Sequence, residues 1–173
     1  GSERCIRDSS FSTFAAEGRN WLVLNLELWP RPEVVRWAQG VVAARPSFNV
    51  MVVTHAMLTG DGRTVQQDNG GYGATSPQYL LDHLVRKFPN IRFVFSGHAG
   101  TYGLKRIFGV NGNPVSIIQT TYHSTTTNPV RLITVNTARN SYSTQVVAPY
   151  TDETFTDGSA SSRGGMASVS YTH

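Results

Sequence analysis

Two histidines in similar surroundings are the residues of this sequence best suited to bind a metal ion. His55 follows the apolar run 50–53, and His98 follows the apolar run 91–95 with Gly97 directly before it. A glycine permits the tight turn that orients an imidazole toward a shared ion, and imidazole nitrogen suits zinc, iron and manganese. If the two runs are neighbouring strands, the pair predicts one metal site. The alternative is that each histidine only forms hydrogen bonds at a strand end.

The elements around these histidines alternate between strands and helices. Apolar runs at 21–26, 50–53 and 91–95 predict strands that are buried on both faces. Pro32 marks the start of one intervening helix, which Pro46 ends, and Ser76 with Pro77 marks the start of a second, which ends before Pro89. This order predicts an α/β fold with a parallel sheet, in which ligands bind at the carboxyl ends of the strands.

The second half of the chain is rich in β-forming residues. Short runs at 106–110, 115–119, 130–135 and 142–147, with turn residues at 111–113 and 139–141, predict an antiparallel β meander that continues from the parallel core. We therefore expect residues 1–150 to form one lobe and residues 151–173 to form an irregular polar tail.

Composition excludes several classes of partner and site. The chain has 173 residues, a formal net charge of +4 and scattered arginines, so a nucleic acid is not expected as its main partner. No apolar run is long enough to span a membrane, and the first residues do not form a signal peptide, so no membrane partner is expected either. The single cysteine excludes an internal disulfide and a cysteine-based zinc site.

Two short segments resemble the calcineurin-like metallophosphoesterases. Residues 52–56, Val-Val-Thr-His-Ala, are similar to the penultimate metal motif of that family, and residues 95–100, Phe-Ser-Gly-His-Ala-Gly, are similar to its last motif. The opening strand and the segment 149–151 also look like those of secreted actinobacterial members. The resemblance implies half of an αββα sandwich and a hydrolase of phosphomonoesters or phosphodiesters. It also implies divalent manganese, iron or zinc, with His55 and His98 as ligands.

The sequence departs from the family in two ways. The motifs Asp-x-His, Gly-Asp-x-x-Asp and Gly-Asn-His, which should precede residue 21, are absent, and Gly100 stands where the last motif has a second histidine. The resemblance therefore implies a C-terminal lobe that is inactive alone, with incompletely liganded metals. Its partners would be a phosphate-ester substrate and either a missing N-terminal half or another copy of the chain. A fragment and a natural short protein both remain open, and the second main reading is a non-catalytic binding or assembly module on the same scaffold.

Three further residues are candidates for this site. His123, which follows the predicted strand 115–119, is a third possible metal ligand, with a polar loop residue as the alternative. Arg63 and Tyr72 lie in the glycine-rich loop that leaves the His55 strand, where they could contact a substrate phosphate. A solvated loop is the alternative for both. No residue is assigned as a catalytic acid or base.

Overall fold

Six strands form the main sheet. The computed structural model describes residues 9–71, 73–100, 102–122, 128–155 and 167–170, with the backbone alone at 155 and 167–170. The strands are β1 Ser10–Ala16, β2 Arg19–Asn25, β3 Asn49–Val53, β4 Ile91–Ser96, β5 Gly103–Phe108 and β6 Pro114–Gln119, in the order β1-β2-β3-β4-β6-β5. The four central strands are parallel, while β1 and β5 pair antiparallel at the two edges.

Two short helical segments cover one face of this sheet. Helix α1 spans Pro32–Ala43, with proline in its first turn, and its apolar stripe packs on the sheet. Helix α2 spans Pro77–Leu80 and continues as a π-helical turn, Leu81–Val85. Leu80 and Leu84 belong to the same apolar core as the α1 stripe. Among the described residues, no helix combines the length and apolar character needed to cross a lipid bilayer.

A second sheet covers the other face. It contains β7 Val130–Asn136, β8 Ser141–Ala148, β9 Glu153–Phe155 and β10 Ala167–Ser170, with β8 between β7 and β10 and also paired with β9. Tyr142 of β8 is 2% exposed and packs edge-on against Phe93 of the first sheet, with ring centroids 5.1 Å apart. Its hydroxyl lies 2.9 Å from the Ser116 hydroxyl and donates to it. The central strands of the first sheet are therefore covered on both faces, whereas the edge strands β1 and β5 keep exposed residues.

The predicted mixed α/β architecture is confirmed. Strands β2, β3 and β4 run parallel and are separated in sequence by helical segments, as their buried apolar runs indicated. Both predicted turns connect antiparallel strands, and positive φ angles occur in them at Gly112 (72°) and Asn140 (51°).

The prediction of one antiparallel meander after β4 is wrong. β5 and β6 join the first sheet, with β6 parallel to β4, whereas β7 and β8 belong to the second sheet. Burial explains the difference. All six residues of β6 are buried, which suits a central strand covered on both faces, while the residues of β7 alternate between half-buried and exposed.

Three further details of the secondary structure differ from the sequence prediction. The second helix is shorter than predicted and ends in a π turn, in which the Arg86 amide donates to the carbonyl of Leu81, five residues earlier. Strand β1 was not predicted. Two short strands, β9 and β10, lie within 151–173, where irregular structure was expected; both pair with β8, which is also paired with β7.

Candidate functional site

His55 and His98 lie side by side at the carboxyl edge of the main sheet. The Nε2 atom of His55 is 2.8 Å from the Nδ1 atom of His98. The ring centroids are 4.6 Å apart with a tilt of 54° between the rings, and both side chains are exposed to solvent. A separation of 2.8 Å is that of a hydrogen bond between one ring N–H and one bare ring nitrogen. The two predicted ligands are therefore brought together.

The backbone of two neighbouring strands fixes this approach. Thr54 and His55 follow β3 directly, and the Thr54 amide donates to Phe95 O at 3.0 Å. One step further, the Gly97 amide donates to His55 O at 3.0 Å. His98 then adopts a φ of 64°, a left-handed conformation that few residues other than glycine take. This turn directs the His98 ring back toward β3 rather than onward along the chain.

Trp29 forms an apolar wall behind His98. It is 3% exposed and meets the His98 ring edge-on, with centroids 6.1 Å apart and an angle of 79°. Two glycines of the loop 59–75 make room for it: a Cβ on Gly73 would lie 2.6 Å from Trp29 Cβ, and a Cβ on Gly70 would lie 2.9 Å from Trp29 Cη2. The loop can therefore close over Trp29 only with glycine at these positions.

Gln119, at the end of β6, ties together the loops that carry the two histidines. Its side chain is fully buried, and Oε1 accepts a hydrogen bond from the Leu58 amide at 3.2 Å. The amide nitrogen donates to Ala99 O at 3.1 Å and to Thr59 O at 3.4 Å. Leu58 lies three residues after His55, and Ala99 follows His98. Gln119 therefore holds both histidine loops against the sheet.

A carboxylate also lies at this edge, but it is engaged by an arginine. Glu27 follows β2, and its two carboxylate oxygens accept from Arg31 Nε at 2.8 Å and Arg31 Nη2 at 3.0 Å. The Arg31 backbone amide donates to the same carboxylate at 3.0 Å. This bidentate pair fixes the chain between β2 and α1, next to the strand that carries His55. Glu27 thus stabilises the turn in which it lies.

The loop 59–75 contains a turn built on Asp61. Its carboxylate accepts from the Thr59 hydroxyl and from the backbone amides of Arg63 and Thr64. These hydrogen bonds, the Thr59 hydroxyl first, lower the pKa of Asp61 from 3.8 to about 2. The turn packs closely against the start of β5, because a Cβ on Gly62 would lie 2.2 Å from O of Tyr102, the residue before that strand. Arg63 is exposed at this turn.

Of the predicted site residues, the structure juxtaposes His55 and His98 and leaves Arg63 in an exposed turn. Tyr72 and His123 lie outside the described residues. Within the described ranges, no group of three or more histidine, cysteine, aspartate or glutamate side chains is arranged to hold a metal. Sequence reasoning missed Trp29, Gln119 and the Glu27–Arg31 pair. The one local signal was Glu27 four residues before Arg31, since opposite charges at that spacing often pair.

A scan against protein-family models and a search of curated proteins both found no match to this chain.

Proposed function

We propose that His55 and His98 are two ligands of a divalent-metal site that serves hydrolysis of phosphate esters. The observation that carries the proposal is the 2.8 Å separation of their ring nitrogens at adjacent strand ends. Two nitrogens bound to one ion by bonds of about 2.1 Å lie roughly 3.0–3.4 Å apart at the angles of octahedral and tetrahedral sites. The observed pair is a few tenths of an ångström closer, so a small ring movement accommodates the ion.

The chemistry of this donor set favours zinc, iron or manganese over calcium or magnesium, which prefer oxygen ligands. Such an ion, when bound, polarises a phosphoryl oxygen and makes bound water more acidic. The chain's own residues orient the pair: Gln119 fixes both loops, and Trp29 shields one side of His98 from water. We propose that Arg63, exposed in the adjoining loop, contacts the phosphate of the ester. Tyr72 as a second substrate contact and His123 as a third metal ligand stay predictions, because both lie outside the described residues.

The proposed scaffold is one lobe of a metallophosphoesterase αββα sandwich, with further ligands supplied by a second polypeptide segment or a second copy. At this edge of the sheet the described residues offer two histidines, which cannot hold a pair of ions for two-metal chemistry. We therefore expect weak binding of one ion and no hydrolysis by the 173-residue chain alone. The rival function is a binding or assembly module on the same scaffold, favoured by the engagement of Glu27 with Arg31.

Metal binding tests the proposal directly. Titration of the full chain with Zn²⁺ in an isothermal calorimeter should give one weak site that His55→Ala or His98→Ala weakens by roughly tenfold or more. His83→Ala is the matched control, because His83 stacks on Tyr79 with centroids 3.8 Å apart, away from the pair. Equal binding by all three variants would refute the site.

Activity separates the two functions. Release of nitrophenol from bis-nitrophenyl phosphate, with Mn²⁺ or Zn²⁺ supplied, should stay at background for the chain alone. It should rise when a segment carrying the missing metal motifs is added, and the rise should vanish in His55→Ala. Turnover by the unsupplemented chain would contradict the incomplete site. Metal binding without turnover after complementation would support the binding module instead.

A further inference from the structure

A stack of two tyrosines lies at the carboxyl edge of the main sheet, beside the loop that carries Arg63. The centroids of the Tyr102 and Tyr122 rings are 5.9 Å apart, with an angle of 28° between the rings. Tyr102 directly precedes β5, whose first residue, Gly103, pairs with Gln119 at the end of β6. Because β6 runs parallel to β4, this is the edge at which the two histidines lie. The proposed metal site leaves this stack without a role.

The second sheet holds one ring of the stack in place. Arg131 Nη2 of β7 donates to Tyr122 Oη at 2.8 Å, and the guanidinium carbon lies 6.0 Å from the centroid of the Tyr122 ring. Arg131 Nη1 also donates to the Thr144 hydroxyl of β8 at 2.9 Å. Tyr102, which is half-buried, therefore stacks on a ring that is already fixed. The pair forms a preorganised aromatic surface, and such surfaces bind planar rings in offset-stacked geometry.

Two glycines bring the turn that carries Arg63 against Tyr102. Gly62 has a φ of 67°, and a Cβ on this residue would overlap with the carbonyl oxygen of Tyr102. A Cβ on Gly103 would overlap in turn with the carbonyl oxygen of Gly62. The two backbones therefore touch with no side chain between them. Arg63 and Tyr102 leave neighbouring points of the surface as a result.

Arg63 supplies a cation next to this aromatic surface. It is exposed, and no ion pair between described residues engages it. The carboxylate closest to it in sequence, that of Asp61, is occupied by hydrogen bonds from the Thr59 hydroxyl and from the backbone amides of Arg63 and Thr64. A guanidinium binds phosphate oxygens with paired hydrogen bonds. The turn thus offers a phosphate contact beside the Tyr102 ring.

The histidine pair is near enough to share a ligand with this surface. His98 and Tyr102 are four residues apart, so at most about 14 Å separates their Cα atoms. Gln119 holds the intervening chain against the sheet, because its side chain donates to Ala99 O at 3.1 Å. Trp29 also contacts His98, but it is 3% exposed and cannot stack on a ligand. Tyr102 is therefore the ring that a group attached to the bound phosphate can contact.

From these features we infer that the site prefers phosphate esters of aromatic alcohols to those of aliphatic alcohols. The inference rests on the proposed function, in which Arg63 and the histidine pair hold the phosphate. The Tyr102 ring stacks on the aromatic leaving group, a contact that an aliphatic ring of the same size does not reproduce. Tyr102 is thus a residue that determines specificity rather than one that activates water.

Phenyl phosphate and cyclohexyl phosphate are matched probes for this preference, because they share charge and approximate size and differ in aromaticity. Titration into the ¹⁵N-labelled full chain should give saturable amide shifts at Gly62 and Gly103 with both, and phenyl phosphate should bind roughly threefold to tenfold more tightly. Tyr102→Leu should remove the preference, whereas Tyr102→Phe should retain it. Tyr150→Leu is the control, because Tyr150 is 85% exposed and belongs to neither ring stack nor loop. Arg63→Gln should weaken both esters alike.

Equal binding of the two esters, or a preference that survives Tyr102→Leu, would overturn the inference. If Tyr102→Leu fails to fold, nuclear Overhauser contacts in the unmodified chain decide the question. Contacts between the phenyl protons of the ligand and the Tyr102 ring support the inference, and their absence refutes it.

Zinc separates a failure of the inference from a failure of the proposed function. Zn²⁺ should tighten both esters in the unmodified chain but not in His55→Ala, and the ratio between the esters should stay the same. A preference that depends on Tyr102 without any effect of zinc would support aromatic recognition and contradict the metal site. Tightening by zinc without a preference would do the reverse. No saturable shift with either ester, with or without zinc, would overturn both.

Discussion

At the scale of single residues, the histidine pair could be predicted from sequence and its supports could not. His55 and His98 each follow a strong apolar run, so the shared edge of a parallel sheet was enough to bring them together. Gln119 contacts loops 61 and 20 residues away in the chain, and no local pattern marks such a side chain. Trp29 could not be predicted for the same reason, because its packing depends on glycines more than 40 residues later in the chain.

Replacing Gln119 by leucine should loosen the site. The substitution removes three hydrogen bonds and leaves the buried Leu58 amide and Ala99 carbonyl without them, which should cost about 1–3 kcal/mol in the free energy of unfolding. Urea denaturation gives this value, with the exposed Gln67→Leu as control. Nuclear Overhauser contacts between the His55 and His98 rings should weaken in the same variant. Unchanged stability together with unchanged ring contacts would contradict the role assigned to Gln119.

The contribution of the Asp61 turn to stability should be lost at acid pH. Hydrogen bonds from Thr59, Arg63 and Thr64 hold the pKa of Asp61 at about 2, below the ordinary 3.8. A lowered pKa means that the folded state favours the carboxylate, so this contribution to stability is present above pH 3.8 and is lost as the pH falls through about 2. Carboxyl ¹³C titration should show a midpoint near 2 for Asp61, and a higher midpoint in Thr59→Val. A normal midpoint in the unmodified chain would contradict the turn geometry.

At the scale of elements, the sequence predicted where the helices begin better than where they end. Pro32 and Ser76 marked the first turns of both helices, because capping and fixed φ act locally. The end of the second helix was not predictable, since its π turn depends on packing against the sheet rather than on propensity. Strand β1 was missed although its antiparallel partner β2 was recognised.

Ser76→Ala tests the helix start. The Ser76 hydroxyl accepts a hydrogen bond from the Tyr79 amide at 3.1 Å, so its removal should cost about 1 kcal/mol. Urea denaturation midpoints measure the change, and Ser47→Ala at an exposed loop position is the control. Ser76→Asp should retain most of the stability, because an aspartate oxygen can also accept a hydrogen bond at the N-cap. A loss in the aspartate variant equal to that in the alanine variant would argue against capping.

At the scale of the whole molecule, the two sheets should unfold together. Tyr142 donates to Ser116 across the interface and packs on Phe93. Tyr142→Phe keeps the ring and should cost about 1 kcal/mol, while Tyr142→Ala also leaves a cavity and should cost about 3–5 kcal/mol. Within each variant, amide signals from β3 and from β8 should report one common urea midpoint, which should fall further in Tyr142→Ala than in Tyr142→Phe. Two separate midpoints would show that the sheets are independent.

The chain should also self-associate through the second sheet. The outer side of β7 carries Val130 and Leu132, which are 44% and 50% exposed, and β8 is its one pairing neighbour in the described part of the chain. An unprotected apolar edge strand favours pairing with another strand. Sedimentation velocity should show a concentration-dependent rise in mass that Leu132→Lys reduces and the control Thr134→Lys, on the same side of β7, reduces less. A monomer at all concentrations would refute this expectation.

The order of strands in the main sheet has a consequence for synthesis on the ribosome. β5 leaves the ribosome before β6, yet β6 lies between β4 and β5 in the sheet. The growing chain therefore cannot add strands one at a time after β4, because the place beside β4 must stay vacant until a later segment arrives. The hairpin of β5 and β6, closed by the turn at 109–113, can dock as a preformed pair. Until it does, the hydrophobic edge of β4 is open to the chaperones and neighbouring chains of the cell.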